Sequence, residues 1–195
     1  NSGRISGAIA IGVIAPNLTP AAMNILVVNT GAITGDVMLG RGYATMRSTG
    51  TITGNILVYG GDQFIDLRGG SFVGNVTVAP QFSEGLTFRD VLYLGGGSHA
   101  VNIGPGAPGM TIEIHGEAGS TTTVVFSVPS TGASLTRNPD GSWTVATPTA
   151  GTAVLWEVQS VQFSDRTVTM ASLPPPAPSP PPPPGPVATG VATTG

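Results

Sequence analysis

Cysteine is absent from this chain, and so is lysine; all seven basic residues are arginine. The first absence excludes disulfides, thiol nucleophiles and Cys-ligated zinc. The second excludes a phosphate-binding loop of the Gly-Lys-Ser/Thr type, so Gly95-Gly-Gly97 is a turn and not such a loop. Charge of either sign is scarce: 9% of the residues, against about 25% in an ordinary globular domain. With a net charge of −3 and no basic patch, nucleic acid is not expected as a partner. Long apolar runs are missing too. The longest, Ala8 to Ala15, falls well short of the roughly 20 residues of a membrane span. Glu, Lys and Gln, which favour helices, are few.

What is present is glycine, 29 residues of it, with abundant Thr, Ser, Val and Ile, a composition that favours strands and tight turns. The glycines recur in register. Asn1-Ser-Gly-Arg-Ile-Ser-Gly-Ala-Ile9 is repeated as Asn29-Thr-Gly-Ala-Ile-Thr-Gly-Asp-Val37, as Ser48-Thr-Gly-Thr-Ile-Thr-Gly-Asn-Ile56 and as Arg68-Gly-Gly-Ser-Phe-Val-Gly-Asn-Val76. The copies start 28, 19 and 20 residues apart. One glycine column is Gly3, Gly31, Gly50 and Gly70, and a second is Gly7, Gly35, Gly54 and Gly74. The apolar columns are Ile5, Ile33, Ile52 and Phe72; Ile9, Val37, Ile56 and Val76; and Ile11, Leu39, Val58 and Val78.

A period near 20 residues suits one coil of a β-solenoid, in which inward residues stack on those of the coil below. The second glycine of each copy falls where the chain bends or takes a positive φ. The longer first spacing predicts an insertion, placed at Ala15 to Ala22 with its two prolines. Hairpins of a β-sandwich are the alternative reading of the same repeats.

Residues 29–40, and 60–76, resemble the coils of autotransporter passenger domains, which are right-handed parallel β-helices displayed on bacterial surfaces. The resemblance covers roughly residues 1–80 and implies architecture more than activity.

Beyond Pro80 the repeat fades, but strands are predicted at Leu86–Phe88, Val91–Leu94, Ala100–Ile103, Met110–Ile114 and Thr122–Val128, with a turn at Gly104–Gly109. Ser134 to Val145 predicts a hairpin turning at Asn138-Pro-Asp-Gly141. That hairpin, the Glu157-to-Phe163 spacing and Phe163-Ser-Asp-Arg-Thr-Val168 resemble the module beside haemolysin-type (RTX) calcium repeats of type I-secreted proteins. The resemblance implies export from a Gram-negative cell. The family's Gly-Gly-x-Gly-x-Asp nonapeptides do not occur here, and Gly151-Thr-Ala-Val-Leu155 stands where that family commonly has Gly-Thr-Asp-Thr-Leu. Leu173 to Pro186 is nearly all proline and is expected as polyproline II or extended chain, a linker or tail.

Chemistry-bearing residues are sparse. Glu113, His115 and Glu117 alternate, so they share one face of a strand and could hold a metal or move protons; a solvated face is the plainer reading. Asp62 and Asp66 flank Phe64-Ile65 and are the calcium candidates, carboxylates near Gly-Gly turns suiting that ion. Asp36 shares a column with Asn55 and Asn75 and has no acidic partner there; such columns commonly satisfy turn backbone. Tyr43, Tyr59 and Tyr93 could meet sugars if exposed.

The expectation is therefore an all-β chain: a β-solenoid, right-handed and parallel by resemblance, with a β-rich C-terminal cap and an extended proline-rich tail. Residues 1–80 carry the repeats, 81–172 the continuing β region and C-terminal module, and 173–195 the tail. The expected role is a non-enzymatic structural protein of the surface or matrix of a Gram-negative bacterium, self-assembling into filaments through its ends. An adhesin or stalk fragment of a larger secreted protein is one alternative. A β-helix polysaccharide lyase or hydrolase is the other. No catalytic set and no cofactor is expected beyond the calcium candidates. The expected partners are copies of the chain, surface glycans and other matrix proteins. The start at Asn1, without Met or signal peptide, is read as that of a mature or excised piece.

Overall fold

The computed structural model describes residues 1–11, 24–40, 42–79, 87–105 and 109–172. The proline-rich tail, the 15–22 insertion and the centre of the 104–109 turn lie outside them. The described residues form strands and two short 3-10 turns with no α-helix, so no helix among them is long and apolar enough to cross a membrane.

The strands fall into three sheets. Sheet 1 holds β1 (Arg4–Ser6), β4 (Ala32–Thr34), β7 (Thr51–Thr53) and β10 (Ser71–Val73). Sheet 2 runs β2 (Ile9–Ile11), β5 (Val37–Leu39), β8 (Ile56–Val58), β11 (Asn75–Val78), β13 (Ser98–Ile103), β15 (Thr121–Phe126), β19 (Ser160–Gln162) and β20 (Thr167–Thr169). Sheet 3 runs β3 (Asn24–Asn29), β6 (Tyr43–Ser48), β9 (Gln63–Asp66), β12 (Arg89–Tyr93), β14 (Thr111–His115), β18 (Gly151–Trp156), β17 (Trp143–Thr147) and β16 (Ser134–Arg137). From β1 to β12 the chain visits sheets 1, 2 and 3 in strict rotation, and every pairing among these strands is parallel.

The alternation of side chains along a strand makes this arrangement stable. Ile5, Ile33, Ile52 and Phe72 are register partners across sheet 1. In sheet 2, Val37, Ile56, Val76, Val101, Val124 and Val161 form one column, all with no exposed surface. In sheet 3, Met46, Ile65, Leu92, Ile114 and Leu155 form another. These columns meet in a single apolar core. β-branched residues dominate the sheet 2 column because they pack well on a pleated surface and lose little rotamer freedom there.

Both glycine columns have a steric cause. A Cβ on Gly50 would lie 2.1 Å from the carbonyl oxygen of Gly31 in the strand layer below, and one on Gly31 2.0 Å from that of Gly3. Gly54, of the second column, has φ +145° as well as a backbone oxygen 2.3 Å from any added Cβ.

Polar side chains serve the turns. The buried Asn29 donates from Nδ2 to Ser48 Oγ (3.0 Å) and accepts at Oδ1 from Asn1 Nδ2 (2.9 Å). Asp36 Oδ1 accepts from Asn55 N at 2.8 Å, and Asn55 Oδ1 from Asn75 N at 3.2 Å. Each bond runs from one layer to the next, so the column satisfies backbone amides that the short strands leave over.

Sheet 1 stops at β10. Beyond it the buried His99 stacks on Phe72, with ring centroids 5.6 Å apart. Sheets 2 and 3 continue through β12, β13, β14 and β15 and then change direction: β19–β20, β17–β18 and β16–β17 pair antiparallel. The β16–β17 hairpin turns at Asn138–Gly141, where Gly141 takes φ +89° and Ser142 N and Oγ both donate to Asp140 Oδ1. Asp165 fastens the end of the structure by accepting from Ser130 N and Oγ, each at 2.8 Å.

Candidate functional site

The outward face of sheet 3 gathers the side chains with chemical character. Register brings Arg47, Asp66, Tyr93, His115 and Trp156 into one column on adjacent strands. Neighbouring strands lie about 4.8 Å apart, close to the stacking distance of aromatic rings. The rings use that coincidence. Tyr93 and His115 stack at 4.2 Å, and His115 and Trp156 at 4.3 Å with planes only 4° apart. The Arg68 guanidinium caps the stack, 4.0 Å from the Tyr93 centroid. Phe64 leans on Tyr93 at 5.7 Å from the adjoining column.

Arginines order the acids on this face. Arg68 grips Asp66 through two hydrogen bonds of 2.8 Å, and this holds the Asp66 carboxyl below the usual carboxylate range. Arg89 Nε donates to Glu113 Oε1 at 2.9 Å. Asp62 Oδ1 accepts from the backbone amide of Arg89 at 2.8 Å. His115 Nε2 lies 4.0 Å from Glu113 Oε2 and has no hydrogen-bond partner. Burial pushes the His115 pKa down, so the ring is neutral when sandwiched between Tyr93 and Trp156.

Where the first strands of sheet 3 begin, a groove of about 500 Å³ opens on this face. Its lining includes Tyr43, Phe64 and Leu26, with Asn24, Asp62 and Arg89. Tyr43 is 50% exposed and Leu26 67%. The size falls within the range of small-ligand sites.

The residues singled out from sequence are distributed as follows. Asp62 and Asp66 stand at opposite ends of β9, roughly 13 Å apart along an extended chain, and do not share a site. Asp62 borders the groove; Asp66 belongs to the aromatic column. Glu113 and His115 do share the outward face of β14, whereas Glu117 lies past its end. Among the described residues no three His, Cys, Asp or Glu side chains cluster as metal ligands would. Tyr43 and Tyr93 lie on sheet 3; Tyr59 follows β8 of sheet 2. Gly3, Gly7, Gly31, Gly35, Gly50, Gly54, Gly70 and Gly74, with Ile5, Ile33, Ile52 and Phe72, belong to sheet 1 and the bends beside it, away from this face.

Sequence reasoning overlooked Arg68, Arg89 and Trp156 as members of the face. Their signal was alternation: each stands on, or just past, a strand with buried positions alternating with outward ones, although those buried positions include Gln63 and Asp90. This arrangement can stack on a flat ligand and offer it donors and acceptors. Compared with known proteins, the chain matches no family model and no curated relative.

Proposed function

We propose that this chain is a β-solenoid structural module of a bacterial surface or matrix, which works by presenting a sheet face to ligands and does not catalyse. In this reading each rotation through the three sheets is one coil, right-handed as parallel crossovers are. The observation that carries it is the parallel register that runs from β2 to β19 in sheet 2 and from β3 to β18 in sheet 3, together with an outward face of stacked rings. A rigid scaffold with recognition groups along one side is what a surface binder needs. The module reaches the exterior of a Gram-negative cell by export, as its resemblance to type I-secreted and autotransporter sequences implies.

The two ends of the sheets differ, parallel at β1–β3 and antiparallel at β16 and β20. The antiparallel β16–β17 and β19–β20 pairs close one side of sheets 3 and 2 as caps, which weighs toward a discrete module. Assembly of copies is the second reading, favoured by Leu26 and Val28 exposed on the edge strand β3.

Antibody labelling of intact source cells tests the location, and electron microscopy of the purified chain tests the assembly. Labelling of intact cells and single particles are expected. Labelling only after lysis would overturn the surface reading, and regular filaments would replace the discrete module with the second one.

A further inference from the structure

We propose that the groove between Tyr43, Asp62 and Arg89 binds a neutral saccharide unit of a glycan chain. The inference names a ligand class for the surface reading above and rests on that reading for where the ligand is met.

Three observations lead to it. The first is the aromatic component. Tyr43 is half exposed beside Phe64, and an exposed ring gives the apolar C–H face of a pyranose a surface to stack on.

The second is the polar edge. Asn24 and Tyr43 are register partners on β3 and β6, and Asp62 and Arg89 continue the same side of the groove. Asp62 uses Oδ1 for the Arg89 amide and carries a second carboxylate oxygen; the guanidinium has donors beyond those that meet Glu113. Asn24 on β3 and Asp62 just before β9 lie on either side of Tyr43 on β6, with Arg89 on β12 beyond Asp62, so a carboxamide, a carboxylate and a guanidinium along the groove can both accept from and donate to hydroxyls. Asp62 and Arg89 are one strand spacing of about 4.8 Å apart, close to the length of one sugar unit in a linear glycan.

The third is charge. Among the described residues, Asp62 and Glu113 flank Arg89 on this edge, and Arg47 lies 5.8 Å over the Phe64 ring, so carboxylates and guanidinia balance. That leaves no excess of positive charge to hold uronic acids, sulfated glycans or nucleic acid and suits an uncharged polyol. Apolar ligands fit poorly, because they would strip water from Asp62 and Arg89 without replacing its hydrogen bonds.

The test is binding of the full chain to an array carrying neutral oligosaccharides of glucose, galactose, mannose and N-acetylglucosamine beside uronic-acid oligosaccharides, followed by titration calorimetry on the best of them. Tyr43→Ala removes the ring. Asp62→Asn keeps an acceptor for the Arg89 amide but changes the hydroxyl contacts. Tyr59→Ala, on sheet 2, is the control. Neutral oligosaccharides are expected to bind and acidic ones not. Tyr43→Ala should weaken binding about tenfold or more, Asp62→Asn several-fold, and Tyr59→Ala not at all. Should Tyr43→Ala fail to fold by circular dichroism, Asp62→Asn alone decides. A wild-type chain that binds no neutral oligosaccharide, or binding that neither groove variant lowers, overturns the proposal. Surface labelling without sugar binding sinks this inference alone; sugar binding without surface labelling sinks the surface reading alone.

Discussion

Gln63 and Asp90 sit side by side in the core with one unpartnered oxygen each. Asp90 Oδ1 accepts from Gln63 N at 2.9 Å, while Asp90 Oδ2 and Gln63 Oε1 are buried without a hydrogen-bond partner among the described residues. The Gln63 amide nitrogen is committed elsewhere, to the carbonyls of Gly40, Gly42 and Gly60. A proton on Asp90 removes a buried negative charge. Burial accordingly pushes the Asp90 carboxyl up to about 7, with the nearby Asp62 charge adding to the rise.

This makes stability depend on pH in a defined direction. The folded chain holds the Asp90 proton more tightly than the unfolded chain, so the contribution is complete below about pH 4 and is lost as pH rises toward 7. Raised from 3.8 to about 7, the group accounts for on the order of 4 kcal/mol across that window. Thermal melts from pH 5 to pH 8 should therefore show a falling Tm. Asp90→Asn, whose amide donates at any pH, should flatten the dependence and raise Tm at pH 8. A wild-type Tm that rises over the same range would contradict the assignment.

The two kinds of glycine should respond differently to a methyl group. Gly50→Ala drives a Cβ into the Gly31 carbonyl and should cost about 3 kcal/mol or more. Gly119 has φ +82° but nothing within 4 Å of an added Cβ, so Gly119→Ala should cost only about 1–2 kcal/mol. Urea titration of both variants separates close approach from backbone conformation.

Asn29 joins three layers by its side chain, to Asn1, to Ser48 and to Thr51 O. Asn29→Ala leaves the buried Ser48 hydroxyl and two partly buried partners without it and should cost about 1–3 kcal/mol in the same titration. Asn29→Asp cannot donate to Ser48 or Thr51 and should cost no less.

Calcium should leave the melting temperature unchanged. Both Asp66 oxygens are held by Arg68, and Asp62 stands at the other end of β9, so these two carboxylates face no common point. Scanning calorimetry with millimolar calcium and then with chelator checks this; a calcium-dependent rise would show ligands beyond these two acids.

Much of the strand layering was legible in sequence because the glycine and isoleucine columns obey a steric rule that repeats with each layer. Ile33 and Ile52 are spaced as they are because they are register partners. Sheet 3 was much less so. Asn24–Asn29, Tyr43–Ser48 and Gln63–Asp66 pair directly yet share little sequence, since their outward residues meet solvent and only their inward ones are constrained. The stack of Tyr93, His115 and Trp156 was hidden for another reason: β13 separates the first two and β15 with the β16–β17 hairpin the last two, so no fixed period links them. Asp90 gave no sign of burial, because an acid in an otherwise alternating strand reads as a surface residue.

Residues 29–47 and 48–67 each complete one rotation through sheets 1, 2 and 3, and each meets only the layer before and the layer after. Length in this protein is therefore quantised. A whole layer could be gained or lost by a single in-frame duplication or deletion of about 20 residues, with every remaining neighbour still finding a partner of its own kind. Reach can change in fixed increments while the closing hairpins, drawn from later in the chain, keep their own geometry; the groove, lined by Tyr43 and Asp62 of these two layers, changes with them.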